Sequence, residues 1–155
     1  MKSKFINAYM QVAETFAKLS SAERLKVGAI AVKDDRIISI GYNGMPSGWD
    51  NTCEDYYTMI NDSGERVLES KTKPEVLHAE SNCISKLARS SESGEGATMF
   101  VTHAPCIECA KLIYQSGVSA VYYKNQYRSN AGLDFLKSSG ILVHQIGQQA
   151  ISSPI

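Results

Sequence analysis

Apolar residues recur along this chain at helical spacing in some stretches and as short continuous runs in others, and the changes between the two patterns mark its elements. Phe5, Ile6, Tyr9, Met10, Val12, Ala13, Phe16 and Leu19 share one helical face, which predicts an amphipathic helix over 5–19. The polar run Ser20-Ser21-Ala22-Glu23-Arg24 ends it. Small apolar residues over 27–32 predict a strand, Lys33-Asp34-Asp35-Arg36 a charged turn, and 37–42 a second strand. So short a connection makes the pair an antiparallel hairpin. Gly41-Tyr42-Asn43-Gly44-Met45-Pro46-Ser47-Gly48 is glycine-rich and irregular, the composition of a loop that lets backbone approach a ligand. Residues 49–74 are the least regular part: Asn51, Asp62, Ser63 and Gly64 form turns, and 52–60 reads as a short helix. A long loop in a compact domain is functional or mobile, and this one reads as a lid, an effector pocket or a subunit contact.

The second half alternates more regularly. A helix over 76–88 opens at His78 and turns Cys83, Ile84 and Leu87 inward; a strand over 98–102 delivers His103 and Ala104. The next helix runs to about Ser116, where Gly117 stops it. A strand over 118–124, a loop through Tyr127, Arg128 and Ser129, a helix over 132–138 ended by Gly140, and a strand over 141–146 complete the chain, with a loose polar tail at 148–155. Five strands with helices on both faces predict a single-domain α/β protein, a three-layer α/β/α sandwich on a five-stranded mixed sheet. The third and fourth strands, joined by a helix, should be parallel with a right-handed crossover.

Composition narrows the function classes. At 155 residues, 43% apolar and 21% charged, the chain is an ordinary globular domain with a real core. Sixteen basic against sixteen acidic residues argue against a nucleic-acid partner, which calls for a basic excess. The start, Met1-Lys2-Ser3-Lys4-Phe5, lacks the apolar run of a signal peptide, and no segment approaches the ~18 apolar residues of a membrane helix. Four cysteines without a pairing pattern fit a reducing, cytoplasmic setting.

The chemistry concentrates in Leu77-His78-Ala79-Glu80 and Ala104-Pro105-Cys106-Ile107-Glu108-Cys109. A lone Cys-x-x-Cys is compatible with a redox motif or half a zinc knuckle. Joined to an upstream His-x-Glu it offers two thiolates and one imidazole, the three protein ligands of a catalytic zinc, with the fourth position left for water. Pro105 suits the first position of a helix, whose positive end would favour the Cys106 and Cys109 thiolates. Glu80 is the candidate proton carrier. Two residues apart on a helix lie on nearly opposite sides, so His78 and Glu80 can share a site only if they straddle the helix start.

The order His-x-Glu followed by Pro-Cys-x-x-Cys matches the general signature of zinc nucleobase deaminases. Around it, Val27-Gly28-Ala29, Gly41-Tyr42-Asn43-Gly44-Met45-Pro46 with Gly48, and Cys106-Ile107-Glu108-Cys109-Ala110-Lys111 with Gly117-Val118 resemble the deoxycytidylate (dCMP) deaminase family of the cytidine deaminase superfamily, over roughly 5–146. The resemblance implies hydrolysis of dCMP to dUMP and ammonia, supplying dUMP for thymidylate synthesis, with Zn2+ on His78, Cys106 and Cys109 and Glu80 as catalyst. It implies substrate contacts from Asn43, Ala79, Thr102, Ala104, Pro105, Tyr127 and Arg128, with Lys26 and Arg89 as further candidates for the phosphate. It also implies a homo-hexamer activated by dCTP with Mg2+ and inhibited by dTTP, the effector meeting Gly44, Met45, Pro46, Ser47 and Gly48. The chain departs from the family at Ser20-Ser21-Ala22-Glu23-Arg24, which lacks an acidic residue two places after the serine, and only Cys53 lies where some relatives hold a second, structural zinc.

Overall fold

A computed structural model describes residues 1–147; the tail predicted at 148–155 lies outside them. In chain order the elements are α1 (Ser3–Ala17), β1 (Gly28–Lys33), β2 (Arg36–Tyr42), β3 (Glu54–Ile60), β4 (Arg66–Thr72), α2 (Ala79–Ala88), β5 (Thr98–His103), α3 (Ile107–Gln115), β6 (Ala120–Asn125), α4 (Ala131–Ser138) and β7 (Leu142–Gln145). Five strands form one sheet in the order β2-β1-β5-β6-β7. β1 is antiparallel to both β2 and β5, while β5, β6 and β7 run parallel, so the sheet is mixed as expected.

Alternation along the central strands divides the core. Ile30, Val32 and Phe100 point to the α1 side, where Met10 and Ala13 meet them. Ala29, Ala31, Met99, Val101 and Val121 point to the other side, against residues of α2, α3 and α4. Both faces of β1 are therefore buried, which is why it reads as an unbroken apolar run. On the α1 side, Phe100 stacks on Tyr122 with ring centroids 5.0 Å apart. The β1–β2 turn holds Asp34 and Asp35 at φ 50° and 57°, the two positive-φ positions that suit a right-twisted two-residue hairpin.

The segment at 52–60 is not a helix. Residues 54–60 form β3, which pairs with β4 as a separate antiparallel hairpin in continuous register from Glu54↔Thr72 to Ile60↔Arg66. Tyr56, Tyr57, Thr58 and Ile60 favour extended backbone, and the turn is closed locally: Asn61 Oδ1 accepts the N–H groups of Ser63 and Glu65 at 3.0 and 2.9 Å, and Gly64 sits at φ 79°. The hairpin reaches the body through its base. Glu54, only 3% exposed, accepts the Glu23 and Arg24 N–H groups at 2.8 and 3.1 Å.

Two glycines set how closely helices approach the sheet. A Cβ on Gly28 would meet the Ala13 carbonyl oxygen and come within 2.7 Å of the Ala17 nitrogen. A Cβ on Gly41 would meet the Ala79 carbonyl oxygen and come within 2.6 Å of the Cys83 nitrogen. All four obstacles are backbone, so a side chain there pushes the helix off the sheet. Gly41→Ala should cost about 3 kcal/mol of stability, the upper part of the usual range for overpacking, read as a lower urea midpoint at unchanged m-value.

Candidate active site

The condition on His78 and Glu80 is met by the start of α2. His78 is the N-cap residue, in extended conformation at φ −78° and ψ 153°, and Glu80 is the second residue of the helix proper. The break in helical geometry at His78 lets both side chains reach one cavity. Cys106 is likewise the extended N-cap of α3, with Cys109 in the first turn. Pro105 therefore precedes the cap and does not occupy the first helical position; its buried carbonyl lies where a Cβ on Gly132 of α4 would strike it.

His78 Nδ1 lies 3.5 Å from Cys106 Sγ and 3.4 Å from Cys109 Sγ. All three donor atoms fall within 4.8 Å of one another. Zinc–nitrogen and zinc–sulfur bonds of ~2.05 and ~2.3 Å at a tetrahedral angle put N and S about 3.5 Å apart. The donor set and its spacing thus fit a zinc ion with one position open. Without metal, hydrogen bonds from Cys109 and then His78 hold the Cys106 thiol down to about 3. Beside that thiolate the buried Cys109 thiol is pushed up. The His78 imidazole is also raised, chiefly by its hydrogen bond to Cys106.

Glu80 is 4% exposed. Burial pushes its carboxyl up to about 7, against the opposing pull of a backbone hydrogen bond and of His78. A carboxyl near neutrality can both take and return a proton at physiological pH.

A cavity of about 810 Å³ opens over this group. Its wall includes the expected Asn43, Ala79, Ala104, Tyr127 and Arg128 beside His78, Glu80 and Cys106. The Arg128 guanidinium sits 5.6 Å from the Tyr127 ring centroid. Both ends of the Asn43 amide are occupied: Oδ1 accepts the Val27 N–H and Nδ2 donates to the Leu25 carbonyl, each at 2.8 Å. Asn43 thereby shapes the cavity wall from 25 to 27 as well as facing it.

Other expected residues are elsewhere. Thr102 and Pro105 are buried and do not line this cavity. The Thr102 hydroxyl accepts the Gly28 N–H at 3.1 Å and lies 3.0 Å from His103 Nδ1, so it supports a lining residue. Lys26 turns away, donating to the Ser20 carbonyl at 2.7 Å, and borders a separate cavity of about 290 Å³ with Lys18 and Lys124. Arg89 caps the far end of α2. None of Gly44 to Gly48 lines either cavity; Gly44 instead forms a two-bond bridge with Leu77, at 3.1 and 2.8 Å.

Several lining residues escaped the sequence reading: Arg24, Glu54, Lys71, Thr72, His103 and Asn125. His103 and Asn125 end the parallel strands β5 and β6. The tendency of α/β sheets to bind ligands at the carboxyl ends of such strands points to them. The others come from the β3–β4 base and the segment bonded to it, which no local pattern announces.

Residues 3–125 match the family described as "Cytidine and deoxycytidylate deaminase zinc-binding region". The chain is 32% identical to the deoxycytidylate deaminase of enterobacteria phage T4, over 92% of this chain and 90% of that one. It is 39% identical to the Homo sapiens deoxycytidylate deaminase over 74% of this chain and 61% of the human one. Among solved structures it resembles the dCMP deaminase of cyanophage S-TIM5 in complex with dCMP and dUMP, at 44% identity and a TM-score of 0.83, covering 94% of this chain and 99% of that one. With the family match spanning residues 3–125 and relatives at 32% and 44% identity covered over most of their length, the chain belongs to the cytidine and deoxycytidylate deaminase family.

Proposed function

We propose that this chain hydrolyses dCMP to dUMP and ammonia at the cavity over His78, Cys106 and Cys109. The observation that carries the reading is the buried Glu80 carboxyl beside a three-ligand metal group, in a cavity large enough for a mononucleotide. Relatives named for dCMP deamination support the substrate.

His78, Cys106 and Cys109 would hold Zn2+, which would supply the Lewis acidity that activates water at neutral pH. Glu80 moves the protons. It takes one proton from water and passes it to N3 of the cytosine, then takes the proton of the new C4 hydroxyl and delivers it to the exocyclic amine, which leaves as ammonia as the C4–N bond breaks and C4–O becomes the uracil carbonyl. Burial serves this role twice, by keeping bulk water from the carboxyl and by setting its proton affinity near neutrality. Asn43 and the backbone around Ala104 position the sugar and base, with Ala79 beside Glu80. Arg128, held against the Tyr127 ring, offers charged hydrogen bonds to the 5′-phosphate.

The same reading extends to regulation. dCTP with Mg2+ activates a homo-hexameric enzyme and dTTP inhibits it, and the product feeds thymidylate synthesis in the cytoplasm. Support comes from the family resemblance and from one mechanical feature. The Gly44–Leu77 bridge ties the Gly44–Gly48 loop to the residue before His78. An effector that shifts this loop has a direct route to a metal ligand.

Ammonia release from dCMP, deoxycytidine and dCTP, each with and without added dCTP or dTTP, tests both parts; dCMP alone should yield ammonia. Glu80→Gln should retain about one zinc per chain and lose at least ~10²-fold in kcat, the scale of general acid–base catalysis. Zinc content by mass spectrometry separates it from Cys109→Ala, which should lose the metal as well. Arg128→Ala should raise KM for dCMP about 10- to 100-fold, from the ~1.5–3 kcal/mol of a hydrogen bond to a charged group.

A further inference from the structure

Arg128 is not the only cation facing the cavity. Beyond the metal group and Glu80, its charged lining consists of Arg24, Lys71, Arg128 and the carboxylate of Glu54. His103 also faces it, but burial lowers its imidazole and favours the neutral form. Three cations against one carboxylate leave two positive charges unbalanced, which is the charge of a phosphate monoester dianion.

These charges are organised through the hairpin base. Glu54 at the start of β3 spends its carboxylate on the Glu23 and Arg24 N–H groups, which fixes the backbone that carries Arg24. The Arg24 guanidinium then reaches across to β4 and donates to the Ser70 carbonyl at 2.9 Å. Lys71 is the next residue. Its cross-strand neighbour is Asp55, but Asp55 lies 3.8 Å from Lys73 instead. Among the described residues Lys71 has no ion-pair or hydrogen-bond partner for its ammonium group. Thr72 of the same strand adds a hydroxyl to the lining.

We propose that the β3–β4 hairpin is the specificity element of this site: Lys71, with Arg24 bonded beside it, receives the 5′-phosphate and sets the preference for a nucleoside monophosphate over the nucleoside. The proposal rests on the deaminase reading above and adds to it a phosphate contact from a part of the chain remote from the zinc motifs. A nucleoside brings no charge to Lys71, so only the nucleotide gains from it. A lysine suits the role because its ammonium is a compact charge that a flexible stem can bring to the anion.

The test uses zinc-loaded protein, the Lys71→Met variant, which keeps an unbranched apolar stem, and the Lys71→Arg variant, which keeps the charge. Calorimetry with dUMP and deoxyuridine reads binding without requiring turnover, and dCMP kinetics run alongside. Lys71→Met should weaken dUMP binding and raise KM for dCMP about ten-fold, leave deoxyuridine binding unchanged and keep kcat within about three-fold. Lys71→Arg should recover most of the loss, and Arg24→Met should shift dUMP in the same direction. An unchanged dUMP affinity in Lys71→Met would overturn the proposal. So would a parallel loss for dUMP and deoxyuridine, which would mean that the substitution distorts the wall and removes no phosphate contact. Wild-type protein that binds dUMP through Lys71 but releases no ammonia from dCMP would defeat the deaminase reading and leave the phosphate site standing.

Discussion

The site depends on two helices beginning side by side, with α3 starting just beyond the carboxyl end of the central strand β5. His78 and Cys106 are both extended N-cap residues, and their side chains converge to 3.5 Å. Anything that moves α2 relative to α3 changes that distance, and a tetrahedral metal tolerates little change. The fold holds α2 in several ways at once. Gly41 lets it press on β2, Ser39 Oγ donates to the Cys83 carbonyl at 2.7 Å, and Asn82 Nδ2 donates to the Tyr42 carbonyl at 2.9 Å. On the other helix, Gly132 lets α4 press against the backbone of Pro105 and Cys106. Positioning is thus shared between close backbone contacts at Gly41 and Gly132, which cannot adjust by changing rotamer, and two side-chain hydrogen bonds to backbone carbonyls, as precise ligand geometry requires.

What the sequence made legible was local. Candidate metal ligands in short motifs, a candidate proton carrier two residues from one of them, and a strand–helix alternation are all written in neighbouring residues. The apparent conflict between His78 and Glu80 on an ideal helix even indicated its own solution, because only a break at the helix start reconciles them. Pro105 shows where such reasoning drifts: proline is favoured at the first helical position, yet here the residue after it, Cys106, is the N-cap and the helix proper begins at Ile107.

The unreadable parts were those whose partners lie far along the chain. Residues 52–60 are apolar enough for either secondary structure, and what makes them a strand is pairing with 66–72 across a turn. Of the cations that face the cavity, Arg128 was expected, while Arg24 and Lys71 were missed for the same reason. Lys26 stands next to the Val27-Gly28 motif but bends to Ser20, while Arg24, two residues earlier, reaches the cavity because Glu54 fixes its backbone from thirty residues away. A solvated cation and a substrate-binding cation are indistinguishable until the wall that carries them is built.

Among the described residues only two carboxylates are buried, and the contrast between them shows how this fold separates structure from chemistry. Glu54 accepts two backbone N–H groups from one segment through a single oxygen and so joins the hairpin to the body; its charge is committed to holding a wall in place. Glu80 is equally buried, but its surroundings are two thiols, an imidazole and open cavity, and burial outweighs the groups that would keep it ionised. A carboxyl left near neutrality costs stability as a buried polar group, and groups of this kind cluster at functional sites. The two residues line the same cavity, one anchoring the end proposed to receive the phosphate and the other at the end proposed to receive the base.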